Sequence, residues 1–308
     1  MSVDMSVELA GLKLKNPVMP ASGTFGFGEE YAHYFDLNKL GAIVVKSVTL
    51  KPTPGNLPPR IAETASGMLN SIGWQNPGLE VFLKEKLPFL RRFETPVIVN
   101  LAGFTVEEYA ELAGRLDGVP GIHALEANIS CPNVHEGGIA FGSDPQLAAE
   151  VTRGIKKQTS LPLIVKLSPN VTDIKLIAAA VEEAGADIIS LVNAYSAVVI
   201  DLDNRRPLLG NIVGGLTGPA IKPAALYQLW QVAKTVKIPI IGMGGICTAR
   251  DALEFMLAGA SAVAVGAATF RDPLAMLKII DGIEAYLAEQ GIERVTDFIG
   301  TLKTDETE

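Results

Sequence analysis

The chain has 308 residues, 48% of them hydrophobic, enough to bury a large core as one α/β domain or as two smaller ones. A formal charge of −8 and a pI near 5.1 work against broad attraction to nucleic acid or anionic membrane, which needs clustered Lys and Arg. Two cysteines cannot build a disulfide framework, MSVDMSVELAGLKLKN has no signal-peptide pattern, and no apolar run approaches the ~20 residues that span a bilayer. A cytoplasmic protein without membrane or nucleic-acid partners is expected.

Short runs rich in Val and Ile alternate with stretches of helical period, the pattern of parallel β/α units. In chain order the runs are PVMPA (17–21), AIVVKSV (42–48), PVIVNLAG (96–103), ALEANIS (124–130), LPLIVKLS (161–168), DIISLVNA (187–194), IPIIGMGGI (238–246) and SAVAVGAA (261–268). The helices between them have readable ends. Thr105 with Glu108 spells a capping box, Asp144 before Pro145 is an N-cap with proline in the first turn, and Thr248 precedes ARDALEFMLAGA. Gly185 and Gly259 each follow a helix, where a left-handed residue is wanted. Eight strands with seven or eight helices match a (β/α)8 TIM barrel, typically about 250 residues. A doubly wound sheet is the runner-up.

No linker or composition shift divides the chain, so residues 1–308 read as a single barrel domain. Residues 49–78, rich in Pro, Gly and Asn, form a long loop excursion, and Met68, Leu69, Ile72 and Trp74 argue that it is ordered. The acidic tail TLKTDETE, residues 301–308, is expected to be disordered.

In such a barrel the chemistry sits at the C-terminal ends of the strands. Those ends carry Ser22, Lys46 with Ser47, Asn100, Asn128 with Cys131, Lys166, Asn193, Gly244 with Gly245, and Gly266. Any one of these is unremarkable, because strands often end in polar residues; their recurrence in register points to one pocket. The turns GMGGI and VGAA leave backbone N–H groups uncovered near helix N-termini, which favours an anion, and barrels commonly bind phosphate there. Glycine is also what any tight turn needs, so it is the position of these turns that points to phosphate. Two lysines and three asparagines without metal-ligand spacing suit a planar polar ring read by amide donors and acceptors, for which flavin mononucleotide (FMN) fits.

Cys131, in EANISCPN, would lie over the pocket on a glycine-containing segment able to act as a lid. It reads as a general base; an inert buried thiol and a covalent nucleophile with His135 as partner are the competing readings. Cys247 reads as an inert thiol, His33 and His123 as structural.

NPVMPASGTFGFGEE, VVKSVT, MLNSIGWQNPG, EANISCPN, VKLSPN, GGLTGPAIKP, IIGMGGI and GASAVAVGAA, in this order from about residue 5 to 290, resemble the catalytic subunits of class 1B dihydroorotate dehydrogenases. The resemblance implies an FMN-containing barrel that oxidises (S)-dihydroorotate to orotate in pyrimidine biosynthesis. It implies that Cys131 removes the C5 proton while hydride passes from C6 to flavin N5. The pyrimidine and its carboxylate would be held by Lys46, Asn70, Ser71, Ile72, Gly73, Trp74, Asn128 and Asn193, with position 194 beside them. FMN would contact Ser22, Lys46, Ser47, Asn100, Asn128, Lys166, Val192, Gly218, Gly244, Gly245, Gly266 and Ala267.

The membrane-associated class has an N-terminal hydrophobic extension and a serine base, which this sequence lacks, and MPASGTFGFG resembles class 1B more than the fumarate-using class 1A. Class 1B implies a partner subunit carrying FAD and a [2Fe–2S] cluster that passes electrons to NAD+. This chain lacks the cysteines to hold a cluster, so that centre belongs to the partner, in a heterotetramer built on a homodimer.

One departure stands out. After the sixth strand the family typically reads Asn-Thr, then Leu and a glycine-containing turn, where this chain has NAYSAVVIDLDNRRP. Ala194 thus replaces a hydroxyl expected to touch the substrate, and losing one hydrogen bond to a charged group costs about 1.5–3 kcal/mol. Either Tyr195 or Ser196 compensates, or the substrate differs. The alternative enzyme is a related flavoprotein acting on uracil or another dihydropyrimidine, and the substrate carboxylate, with Lys46 as its partner, discriminates the two. A non-catalytic barrel that merely retains FMN is the reading from a different class.

Overall fold

The structure is a computed structural model of the chain, described over residues 3–130 and 139–304; Cys131 and His135 lie outside the described residues. The chain opens with a hairpin, β1 (Val7–Leu9) and β2 (Leu12–Leu14), turned by Ala10 and Gly11. Both turn residues have positive φ, 50° and 87°, which matches the twist of a two-residue hairpin loop.

Eight parallel strands follow: β3 (Val18–Pro20), β4 (Ile43–Val44), β7 (Val97–Leu101), β8 (Ala124–Asn128), β9 (Leu163–Lys166), β10 (Ile188–Leu191), β15 (Ile240–Met243) and β16 (Ala262–Val265). Their order in the sheet is β3-β16-β15-β10-β9-β8-β7-β4, so each strand lies beside its chain neighbour of the barrel set. The two end strands are linked where Gly41 N–H donates to Val18 O at 2.9 Å. The sheet is a nearly closed barrel, as the alternation of runs predicts.

Every residue of the eight strands is buried, because helices cover one face and the barrel interior takes the other. That double burial explains why the strands read as continuous apolar runs. The polar exceptions Asn100, Glu126, Asn128, Lys166 and Ser190 sit on one face in register: Asn100 opposite Glu126, and Lys166 opposite both Asn128 and Ser190.

The helix ends largely follow the sequence. Asp144 accepts from Gln146 and Leu147 N–H, and Gly185 and Gly259 adopt φ of 102° and 115°. Thr105 accepts from Glu108 N–H, but Glu108 returns its carboxylate to Phe104 N–H, one residue before the expected cap partner. The reciprocal capping box is at Thr248 and Asp251. One expected helix is replaced: between β3 and β4 the described chain makes three short 3-10 turns, because GTFGFG places three glycines where an α-helix would have to nucleate.

The excursion at 49–78 proves to be half of a second sheet. β5 (Ile61–Thr64) and β6 (Gly67–Asn70) pair antiparallel, β6 pairs with β14 (Gly214–Thr217), and β14 with β11 (Tyr195–Ala197). A small hairpin, β12 (Ile200–Asp201) with β13 (Arg206–Pro207), fills the same crossover. At the start of the tail Thr301 Oγ donates to Phe298 O and Leu302 N–H to Leu257 O; residues 305–308 lie outside the described residues. Among the described residues no helix is long and apolar enough to cross a membrane.

The closing contact between β3 and β4 leaves no room at Gly41, where a Cβ would stand 2.0 Å from Asn16 O and 3.1 Å from Val18 O. Both are backbone atoms that cannot rotate away. Gly41→Ala is therefore expected to destabilise the fold by about 3 kcal/mol in urea denaturation, and an unchanged midpoint would contradict this closure.

Candidate functional site

The C-terminal ends of the barrel strands and the antiparallel sheet enclose one cleft of about 970 Å³, open mouth included. Its polar wall is Ser22, Lys46, Ser47, Asn128 and Lys166. The second sheet supplies Asn70, with Ile72, Gly73 and Trp74 following it, and Gly218. The end of β10 supplies Val192, Asn193 and Ala194. Beside them lie Gly244 and Gly245, after the adjoining β15, and then Gly266 and Ala267, after β16. Among the described residues no Asp or Glu lines this cleft, while two lysines do.

The polar wall is held by one hydrogen-bond chain. Glu126, 2% exposed, accepts from Ser190 Oγ at 2.9 Å and from Asn100 Nδ2 at 2.5 Å. A carboxylate has only lone pairs to offer, so it fixes which end of the Asn100 amide faces it. Asn100 Oδ1 then accepts from Ser47 Oγ at 2.5 Å, and Ser47, with its proton committed, accepts from Asn128 Nδ2 at 3.2 Å. Asn128 Oδ1 accepts from Ser130 Oγ, Ser130 Oγ accepts from Asn193 Nδ2 at 3.0 Å, and Asn193 Oδ1 accepts from Ala194 N–H at 2.8 Å. The main-chain donor at that end agrees with the carboxylate at the other. Ser47 Oγ keeps only lone pairs, so a ligand group meeting it must donate.

Lys166, almost fully buried, reaches from the end of β9 to the residue that follows β3 by two, donating to Ser22 Oγ at 3.3 Å. At the end of β15, Gly244 and Gly245 have φ of 120° and 77°, a conformation closed to other residues without strain. Around Gly266 the nearest atom to an added Cβ is Ala21 Cβ at 3.7 Å, so its surroundings are open.

Two expected site residues do not line the cleft. Asn100 lies behind it, between Ser47 and Glu126. Ser71 is buried in the loop after β6, where its Oγ accepts from Asn56 Nδ2 at 3.0 Å and its N–H donates to Arg60 O. Ala194 lines the cleft but neither Tyr195 nor Ser196 does: Tyr195 pairs with Leu216, its phenol meets Gln228 at 3.3 Å, and burial pushes that phenol up to about 12. Thr217 of β14 also lines the cleft, its hydroxyl donating to Met68 O at 3.3 Å, and sequence reasoning missed it because the pairing of β6 with β14 joins segments about 150 residues apart. Glu126 was also missed, although its place inside EANISCPN on a buried strand was the available signal.

Cys247 lines the cleft, yet burial first and the Asp251 charge second push its thiol up, which agrees with an inert group. His123 Nδ1 accepts from Val97 N–H at 3.0 Å and burial lowers its pKa, a structural role as expected.

Residues 4–287 match the dihydroorotate dehydrogenase family. The chain is 60% identical over 300 residues to the dihydroorotate dehydrogenase B (NAD(+)) catalytic subunit of Desulforudis audaxviator, covering 97% of this chain and 98% of that one. It is 58% identical over 303 residues to the protein of the same name from Pelobacter propionicus, covering 98% and 100%. Against that of Geobacter sp. strain M21 the identity is 58% over 300 residues, covering 97% and 98%.

The hydrogen-bond chain predicts a graded response at its buried end. Glu126→Leu leaves the Asn100 amide and the Ser190 hydroxyl without their acceptor and should cost about 2–4 kcal/mol in chemical denaturation. Glu126→Gln retains one acceptor for Asn100 and should cost under about 1.5 kcal/mol. Equal losses in the two variants would show that only the volume of the side chain matters.

Proposed function

The chain belongs to the dihydroorotate dehydrogenase family, and we propose that it is a catalytic subunit that holds FMN in this cleft and oxidises (S)-dihydroorotate to orotate in the cytoplasm, for pyrimidine biosynthesis. The observation that carries the reading is the cleft itself: amides, two lysines and glycine turns from separate strands meet there, and no described carboxylate lines it.

These residues suit FMN. The backbone N–H groups around Gly244, Gly245, Gly266 and Ala267 can take its phosphate. Ser22, Lys46, Ser47, Asn128, Lys166, Val192 and Gly218 can hold its polar ring, with Asn100 acting through Ser47. When bound, the flavin supplies the acceptor for a hydride. The ammonium of Lys166 adds fixed positive charge to that wall, the kind of field that favours a reduced, anionic ring.

Asn70, Asn128 and Asn193 offer amide edges to a pyrimidine, the backbone of residues 72–74 offers further donors, and Lys46 can pair with a carboxylate. Cys131 follows Ser130 directly in the chain, the residue to which Asn193 is anchored, and is the base for the C5 proton. A thiol with an ordinary pKa of roughly 8.5 serves that role if its surroundings favour the thiolate. The electrons leave through a partner subunit carrying FAD and a [2Fe–2S] cluster, toward NAD+, in a heterotetramer built on a homodimer of this chain. One specific observation favours a second reading: Ala194 leaves an apolar spot in the cleft, which suits a dihydropyrimidine of the uracil type.

The test is anaerobic. The purified chain should be yellow and should bleach rapidly with dihydroorotate, while Cys131→Ala keeps its flavin but bleaches at least about 100-fold more slowly. Flavin that stays oxidised with dihydroorotate yet bleaches with dihydrouracil would replace the orotate assignment by the uracil-type one.

A further inference from the structure

The turn that ends β15 is gripped from two sides by one ion pair. On one side a Cβ at Gly245 would stand 2.8 Å from both Lys222 Cβ and Lys222 N, and one at Gly244 would stand 2.7 Å from Ala225 Cβ. The turn therefore lies flat against the first turn of the helix Lys222–Ala233. On the other side Lys222 Nζ reaches the helix Ala249–Leu257, meeting Asp251 Oδ1 at 2.7 Å and Glu254 Oε2 at 2.8 Å. The second oxygen of Asp251 accepts from Cys247 N–H at 3.0 Å, Thr248 N–H at 2.9 Å and Thr248 Oγ at 2.9 Å. One end of Lys222 thus supports Gly245, and the other holds the carboxylate that ties down the residues leaving the same turn. The side chains of Lys222 and Asp251 are 24% and 15% exposed, so solvent screens the pair only in part.

This cluster cannot act by attracting an anion. Lys222 faces two carboxylates, and Arg250 lies 3.8 Å from the other oxygen of Glu254, so +2 against −2 leaves no net positive charge. Its effect on the turn has to be geometric.

We propose that Lys222 and Asp251 are positioning residues whose ion pair fixes the backbone N–H groups at 244–246 for a ligand phosphate, and so sets the preference for FMN over riboflavin. The inference rests on the FMN reading and adds the element that makes the cradle rigid. It opposes simple electrostatics. Asp251→Asn removes negative charge near the phosphate, which alone would tighten FMN binding, yet it turns an NH2 toward Lys222 and breaks the clamp. The Asn oxygen still serves the Cys247 and Thr248 N–H groups, so the helix cap survives.

The experiment titrates the full chain, stripped of flavin, with FMN and with riboflavin, following flavin fluorescence. Asp251→Asn is expected to raise the Kd for FMN roughly tenfold and to leave that for riboflavin within about twofold. Lys222→Met should show the same selective loss, and Lys222→Arg, which can still reach both carboxylates, should restore FMN affinity. FMN binding that is unchanged or tighter in Asp251→Asn, or an equal loss for both flavins, overturns the clamp. A wild-type chain that does not prefer FMN to riboflavin overturns the FMN reading as well, which tells the two failures apart.

Discussion

A carboxylate sealed inside the barrel orders the polar wall of the cleft. Glu126 is 2% exposed, and a buried acid that is not hydrogen-bonded is costly. Its acceptors are filled by Asn100 and Ser190 from the strands on either side of β8 and β9. Because Asn100 can present only its NH2 to that acid, its carbonyl faces Ser47, and the order passes on to Asn128, Ser130 and Asn193. Amides in a pocket are useful for recognition only if they cannot flip. Here Glu126 at one end and the Ala194 N–H at the other impose the same order.

The cleft brings together two kinds of lining. One is a set of backbone N–H groups in turns shaped by positive-φ glycines and braced by the Lys222–Asp251 ion pair. The other is a set of oriented amides with the side chains of Lys46 and Lys166. A phosphate on the first and a flat, N–H-bearing heterocycle on the second suit that combination. The second sheet gives the cleft its remaining side, since Asn70 and Thr217 come from neighbouring strands β6 and β14. That sheet also shows why the excursion after β4 is long: it has to reach a partner strand contributed by the crossover after β10.

The barrel was legible because its strands are buried on both faces and so read as unbroken Val and Ile runs, each closing on a polar residue or glycine. The cleft was legible for the same reason, and Ser22, Lys46, Asn128, Lys166 and Gly244 all meet where the fold requires. What escaped was everything set by contacts distant in sequence. IAET and GMLN are too short and too mixed to announce strands, and β6 finds its partner only on β14. Asn100 ends its strand with the right chemistry but one layer back, because the Ser47 hydroxyl stands in front of it. Ser71 alternates away from Asn70 and points into its own loop.

The most direct measurement is a crystal structure of the yellow protein with orotate bound. The expected result is one flavin in this cleft, its phosphate on the N–H groups around Gly244, Gly245 and Gly266, and its ring against the wall of Lys46, Ser47 and Lys166, with an N–H donor facing Ser47. A flavin seated elsewhere, or orotate bound away from Asn70, Asn128 and Asn193, would contradict the account.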